Sequence, residues 1–181
     1  SSLAVDPNNH RTVYVSDSSS AGGVFRSIDS GVTWQTVGLN QTGAHASFVS
    51  VSPHTQGLLF TLTNLGMFKS VNGGDNWSNL TVPRSGKIVF DPVSPTTIYL
   101  LSTNDGVFRS TNLGQTWTAI NNGLSNPIAS ALAVDPLTPS TLHLVSTANA
   151  FNEAFLAKIN PAGSALVYST IIGGTSPSGL F

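Results

Sequence analysis

Apolar and polar residues alternate in short runs along this chain, and the runs return at regular intervals. Leu3-Ala4-Val5-Asp6-Pro7 is answered by Val49-Ser50-Val51-Ser52-Pro53, Ile88-Val89-Phe90-Asp91-Pro92 and Leu132-Ala133-Val134-Asp135-Pro136. A turn then leads to a second alternating run: Thr12-Val13-Tyr14-Val15, Leu58-Leu59-Phe60-Thr61, Thr97-Ile98-Tyr99-Leu100 and Thr141-Leu142-His143-Leu144. Runs of this length, rich in β-branched and aromatic residues and bounded by Gly, Pro, Asn or Asp, predict β-strands. No stretch sustains a helical period between caps, so no helix is predicted.

A third element keeps step with these two. Gly23-Val24-Phe25-Arg26, Gly66-Met67-Phe68-Lys69 and Gly106-Val107-Phe108-Arg109 each precede a copy of one octet. The copies are Ser27-Ile28-Asp29-Ser30-Gly31-Val32-Thr33-Trp34, Ser70-Val71-Asn72-Gly73-Gly74-Asp75-Asn76-Trp77 and Ser110-Thr111-Asn112-Leu113-Gly114-Gln115-Thr116-Trp117, spaced by 43 and 40 residues. Each unit reads strand, turn, strand, turn, strand, Gly turn, strand. Four short antiparallel strands in about 40–45 residues make the unit of a β-propeller blade. A single such sheet cannot bury both faces, so the units must stack. The prediction is an all-β chain of four-stranded antiparallel propeller blades, in units 3–47, 48–87, 88–130 and 131–181, forming part of a larger propeller. An open arc, half of a larger ring and a small closed ring all remain compatible with four units. The chain opens on Ser1 inside a predicted strand and closes on Leu180-Phe181 after turn-like residues, so both ends read as cut from a longer polypeptide.

The octets carry structural chemistry. Asp29, Asn72 and Asn112 are short side chains able to accept backbone N–H groups within a turn. Gly31, Gly74 and Gly114 supply a backbone angle that other residues resist. Trp34, Trp77 and Trp117, all the tryptophans of the chain, stand at the start of the next strand and are expected to bury their rings between sheets. The pattern Ser-x-Asp-x-Gly-x-Thr-Trp resembles the Asp-box, or BNR repeat, of sialidases, sortilin-type ectodomains, xyloglucanase-like glycosidases and photosystem-assembly propellers. Ser27, Asp29, Gly31 and Trp34 match it fully. Ser70, Gly74 and Trp77, and Ser110, Gly114 and Trp117, keep the frame, with Asn72 and Asn112 in place of Asp. The resemblance implies a position at the blade periphery, away from any central site.

The fourth unit has no octet. It carries Phe155, Lys158, the turn Asn160-Pro161-Ala162-Gly163, Tyr168-Ser169-Thr170 and Gly173-Gly174. This stretch is similar to the SBBP repeat of large secreted bacterial proteins, with Ile171 where an aromatic is expected.

Composition narrows the function. Charged residues make up 8% of the chain and net charge is −1, so nothing steers it toward nucleic acid or an anionic membrane. There is no cysteine, which excludes disulfides, thiolate metal sites and a cysteine nucleophile. No apolar run approaches the ~20 residues that span a bilayer as a helix. His10, His45, His54 and His143 lack metal-ligand spacing. Asp6, Asp91 and Asp135 belong to the repeated Asp-Pro turn and Asp29 to the octet, leaving Asp17, Asp75, Asp105 and Glu153 scattered among loops. No carboxylate pair for glycoside hydrolysis can be assigned from these. Arg26, Lys69 and Arg109 are repeat equivalents, which favours a structural role over a sialidase-type arginine cluster.

The expectation is therefore a non-enzymatic binding or scaffolding module, extracellular, cell-surface or periplasmic. It has no catalytic, cofactor or metal residues and no nucleic-acid or membrane-inserted partner. Its partners are a protein, a glycan or the remaining blades of its own chain. Binding is expected on the variable loops Asp17–Gly22, Asn40–Ala46 and Asn121–Ser130. The alternatives are a piece of a glycosidase with its catalytic residues elsewhere, an assembly factor, or a subunit of a large complex.

Overall fold

The computed structural model describes residues 1–20, 22–39, 43–83, 86–102, 104–122, 129–138, 141–147, 154–159 and 166–172. Among them there is no helix. Sixteen strands form four antiparallel sheets of four, each built in chain order. Blade 1 holds β1 (Ser2–Val5), β2 (Val13–Asp17), β3 (Gly23–Ser27) and β4 (Gln35–Thr36). Blade 2 holds β5 (Ala46–Val51), β6 (Leu59–Thr63), β7 (Gly66–Ser70) and β8 (Ser78–Leu80). Blade 3 holds β9 (Lys87–Phe90), β10 (Ile98–Ser102), β11 (Gly106–Ser110) and β12 (Thr118–Ala119). Blade 4 holds β13 (Ala129–Val134), β14 (Leu142–Thr147), β15 (Ala154–Ile159) and β16 (Leu166–Ile172). The all-β, four-stranded propeller architecture expected from the repeat is what the chain adopts.

Strand β1 abuts β5, β5 abuts β9, and β9 abuts β13, so the first strands line the inside of the arc. Because side chains alternate along a strand, each blade has a forward face toward the next blade and a backward face toward the previous one. Tyr14 and Val24 of blade 1 meet Val49 and Leu59 of blade 2 in one buried cluster. Phe60 and Met67 of blade 2 meet Ile88, Ile98 and Leu100 of blade 3 in a second. Tyr99 and Val107 of blade 3 meet Leu142 and Leu144 of blade 4 in a third. These three inter-blade layers are the hydrophobic core. Each strand therefore serves two layers, which is why nearly every apolar position of β6 and β10 is buried.

The tryptophans follow the same logic, with one correction to the sequence expectation. Trp77 packs into the layer between blades 1 and 2, and Trp117 into the layer between blades 2 and 3. Each covers the outer part of the preceding blade. The Trp77 indole N–H donates to Val37 O at 3.2 Å. Gly38 lets the two backbones approach: a Cβ there would lie 2.3 Å from Trp77 Cδ1, and its φ is +55°. Trp34 is exposed instead of buried between sheets. It stands on the backward face of blade 1, against which no other described blade packs, and its indole N–H turns back to Gly31 O within its own turn.

Candidate functional site

The two ends of the blades differ in construction. At one end lie the octet turns, β3 to β4, and the Asp-Pro turns, β1 to β2. At the other lie the β2–β3 hairpins and the connections that carry the chain to the next blade.

The octet turn is organised by its serine. Ser27 Oγ accepts the N–H of Asp29 at 3.3 Å and of Gly31 at 2.8 Å, and donates to Asp29 Oδ1 at 2.7 Å. Ser70 Oγ does the same with Asn72 and Gly74 at 3.3, 2.9 and 3.0 Å. Ser110 Oγ does so with Asn112 and Gly114 at 3.3, 2.9 and 2.9 Å. The Asp or Asn then accepts the N–H four residues on, from Thr33, Asn76 or Thr116, at 2.8–2.9 Å. Gly31, Gly74 and Gly114 have φ of +94°, +96° and +89°. The position before each glycine is also left-handed: Gly73 at +71°, Ser30 at +64° and Leu113 at +52°. Hydrogen bonds from the Thr33 hydroxyl and amide, and from Ser27, hold the Asp29 carboxyl down at about 2.

The Asp-Pro turns use their acids the same way. Asp6 Oδ1 accepts from Asn8 N (2.8 Å), Asp91 Oδ1 from Val93 N and Ser94 N (2.9 and 2.8 Å), and Asp135 Oδ1 from Leu137 N and Thr138 N (2.8 and 3.0 Å). In blade 2 the Ser52 hydroxyl takes this place, accepting from His54 N and Thr55 N.

Between these turns runs a device that the linear pattern concealed. Cross-strand pairing sets an aromatic residue of the second strand beside a cation of the third: Tyr14 with Arg26, Phe60 with Lys69, Tyr99 with Arg109 and His143 with Lys158. In blades 1 and 2 the cation reaches the octet turn of the next blade. Arg26 Nη1 donates to Gly73 O at 3.0 Å and pairs with Asp75 at 3.0 Å, and Lys69 Nζ donates to Leu113 O at 3.4 Å. With its amide oxygen toward the guanidinium, Gln35 accepts from Arg26 Nε and Nη2 at 3.1 and 2.6 Å. Lys69 Nζ lies 5.9 Å from the Phe60 ring centroid, a cation–π distance. Burial lowers its ammonium pKa. Burial raises the Tyr14 and Tyr99 hydroxyls; the neighbouring arginine offsets this and the Asp-Pro carboxylate adds to it. A cleft of about 250 Å³, lined by Asp6, Tyr14, Arg26, Gln56 and Asn72, opens beside the first of these latches. Of its polar groups, Arg26 reaches across to blade 2, while Asp6 and Asn72 accept hydrogen bonds within their own turns.

The opposite end carries the variable loops. His45 N donates to Asn64 Oδ1 at 2.7 Å, Asn64 Nδ2 donates to Gly43 O at 2.9 Å, and His45 Nδ1 lies 2.6 Å from Ser19 O. These contacts tie the β2–β3 hairpin of blade 1, the blade 1–2 connection and the β6–β7 hairpin into one surface. In blade 3 Asn121 bridges similarly, donating to Asp105 O and accepting from Val107 N, both at 2.8 Å. Register shifts at Ala46/Phe48 and Ala129/Ala131 mark the same end of β5 and β13, where bulges re-aim side chains. Asp17 accepts from the Ser19 hydroxyl and amide, which lowers its pKa. Of the three expected binding loops, residues 21, 40–42 and 123–128 lie outside the described residues, as do Glu153, 160–163 and 173–174. The structure thus separates the octet residues, all at the turn end, from the β2–β3 hairpins and the inter-blade connections at the other end. Among the described residues there is no cluster of three or more metal-ligating side chains.

The family model for the DUF6242 beta propeller domain matches residues 2–162. The chain belongs to that family. Comparison of this DUF6242 propeller chain with curated proteins finds no match. Among solved structures it is similar to the GH74 enzyme of Niastella koreensis, at 24% identity and TM-score 0.72, over 94% of this chain and 29% of that one. It is also similar to a YCF48 structure described as bound to D1 peptide, at 17% identity and TM-score 0.56, over 91% and 52%. An auxiliary nutrient binding protein from Bacteroides thetaiotaomicron matches at 17% identity and TM-score 0.60, over 93% and 40%. The DUF6242 chain spans about a third of the first of these and about half or less of the others. These likenesses establish the propeller fold, which hosts unrelated functions.

Proposed function

We propose that this DUF6242 propeller segment is a non-enzymatic binding or scaffolding module, and that it engages an extended protein segment through its loop end. One observation carries the reading: the carboxylates among the described residues are spent on the fold. Asp6, Asp17, Asp29, Asp91 and Asp135 accept hydrogen bonds inside their own turns, Asp75 pairs with Arg26, and Asp105 accepts from the Ser102 hydroxyl at 3.1 Å. Acid–base chemistry needs a carboxyl free to exchange its proton at the reacting bond. At the loop end Asn64 and Asn121 are engaged in joining the loops, and it is the surface so held that is assigned to a peptide main chain. The peptide-bound YCF48 structure supports the same choice of partner.

In this reading the three octets are Asp-box corners, supported by the threefold recurrence of the serine-centred hydrogen bonds, and the fourth unit is an SBBP-type repeat. The module works outside the cytoplasm, in keeping with its weakly charged, hydroxyl- and amide-rich composition; cell fractionation followed by detection of the parent protein tests this. Binding is tested by panning a library of extended peptides against the chain and against Asn64→Ala. Peptides that bind the first and lose affinity for the second support the module, and a panel without enrichment counts against it.

The GH74 likeness favours a second reading, a portion of a carbohydrate-active enzyme. Polysaccharide hydrolysis by the full-length protein, with catalytic residues outside this segment, would replace the first reading with this one.

A further inference from the structure

The cleft of about 250 Å³ beside the first latch lies in the seam between blades 1 and 2. The same place in the next seam is closed by apolar side chains. There Leu58, Phe60 and Leu113 pack in one buried cluster, at the positions that Thr12, Tyr14 and Gly73 hold along the repeat. Gly73 brings no side chain, and a Cβ on it would meet Arg26 Nη1 at 3.0 Å and the Tyr14 hydroxyl at 3.4 Å. The left-handed backbone is common to both seams, with φ of +71° at Gly73 and +52° at Leu113. The opening therefore comes from the missing side chain and not from the turn.

The groups that line this opening are polar, and the fold uses them only in part. Thr12 is 6% exposed, yet neither its hydroxyl nor the Gln56 amide bonds to another described residue. Asp6 gives Oδ1 to Asn8 N and keeps Oδ2; in blade 3 the matching Oδ2 of Asp91 lies 3.5 Å from the Tyr99 hydroxyl. Asn72 Oδ1 serves the octet turn. Its Nδ2 lacks, among the described residues, the partner that Asn112 Nδ2 finds in the Thr116 hydroxyl at 2.9 Å, because Asn76 stands where Thr116 does. Arg26 is the exception, with its N–H groups directed to Gly73 O, Asp75 and Gln35. Apolar side chains suffice at the same place one seam on, so the frame does not require these groups. Buried polar groups without partners cost stability, and a ligand would supply the partners.

We propose that the cleft between blades 1 and 2 binds one neutral sugar ring. Hydroxyls on adjacent ring carbons each donate and accept, which matches a set of two protein hydroxyls, two side-chain amides and one carboxylate oxygen. Ile28 lines the same cleft and gives an apolar flank for the C–H face of the ring. The charge of Arg26 is met by Asp75, so an anion finds no unpaired cation to bind. The volume lies below the roughly 300–1,000 Å³ of sites for larger ligands, which suits one ring and not a chain. A free sugar and the end residue of a glycan present the same ring. The inference does not rest on the loop-end reading, because the cleft lies among the turns at the opposite end.

Amide NMR spectra of the chain, titrated with methyl glucoside, methyl galactoside and methyl mannoside, test it, with glucuronate and inorganic phosphate as charged probes. The expected result is a saturable shift of the Gly57 and Gly73 amides with at least one neutral glycoside, in the millimolar range, and none with phosphate. Gln56→Ala removes an exposed side chain that the fold does not use. It should weaken binding by about three- to ten-fold, the effect of losing one neutral hydrogen bond, with the unfolding midpoint unchanged. Gly73→Leu copies the blade 3 residue into the opening and should abolish binding; if thermal unfolding shows that this variant does not fold, Gln56→Ala decides alone. Disaccharides ending in the same ring separate the two sources: affinity equal to or above that of the methyl glycoside assigns the site to a glycan end, and weaker affinity to a free sugar, the site being upheld in both. No shift from any neutral glycoside up to high millimolar concentration overturns the inference. So does binding that is unchanged in Gln56→Ala, or a cleft that takes glucuronate or phosphate and refuses the neutral rings. Peptide binding at the loop end is read separately and is unaffected by either result.

Discussion

Replacing Ser70 with alanine removes one oxygen and leaves the rest of the blade 2 corner in place. That oxygen accepts two backbone N–H groups and donates to Asn72. The Gly74 amide is buried, and its left-handed φ of +96° keeps it from turning toward another acceptor. A buried donor stripped of its partner costs about 1–3 kcal/mol. The lost O–H to Asn72 Oδ1 adds less, because Asn72 is exposed and water replaces the donor. A total near 2–3 kcal/mol converts, at about 2–4 °C per kcal/mol for a chain of this size, to a midpoint lowered by roughly 4–12 °C. Thermal unfolding of Ser70→Ala beside wild type reads this directly. Ser78→Ala serves as control: its hydroxyl is exposed, bonds only Lys69 O at 3.2 Å, and its loss should cost within ~0.5 kcal/mol. Hydrogen exchange gives an independent reading, since the Gly74 amide should lose protection in Ser70→Ala alone. A midpoint within a degree or so of wild type, with Gly74 still protected, would refute the assignment of serine as the centre of the corner.

Three further outcomes follow from the geometry. Gly38→Ala drives a methyl into the Trp77 ring and should destabilise the chain by about 1–3 kcal/mol as an overpacked contact, with Trp77 fluorescence perturbed; an unchanged denaturation midpoint would contradict the close approach. Ser30→Gly relieves a left-handed serine and should be neutral or stabilising by up to ~1 kcal/mol, whereas Leu113→Gly, at the equivalent position but packed between blades 2 and 3, should destabilise; equal effects in denaturant melts would argue against this distinction. The Asp29 carboxyl sits at about 2 in the fold against 3.8 unperturbed, so its contribution is present above pH ~4 and is lost as pH falls from there through 2. Stability measured against pH should therefore decline in that window for wild type more steeply than for Asp29→Asn, and parallel profiles would show that the carboxylate is not engaged.

The propeller was legible because its information is local and repeated. Alternating runs, Asp-Pro turns and the Ser-Gly-Trp octets each fix a strand or a corner without reference to distant residues, and their three or four copies reinforce one another. The latch was not legible, because Tyr14 and Arg26 face each other only through the β2–β3 register, and the carbonyl that Arg26 reaches belongs to blade 2. Serine's place in the corner was legible from its recurrence, but its role as acceptor of two backbone amides shows only in the turn's geometry. The clasp of His45, Asn64 and Ser19 joins three loops that have no periodicity to read. Trp34 misled because burial of a ring depends on the neighbouring blade as well as on the ring's own sequence context.

The latch has one consequence for how such a chain can change. Its acceptor is a main-chain carbonyl, Gly73 O or Leu113 O, and no point mutation can delete it. Arginine and lysine both serve as donors, and glycine and leucine both carry the acceptor. The latch therefore places no demand on the acceptor's own side chain, so a change of residue there needs no matching change in the cation that reaches it.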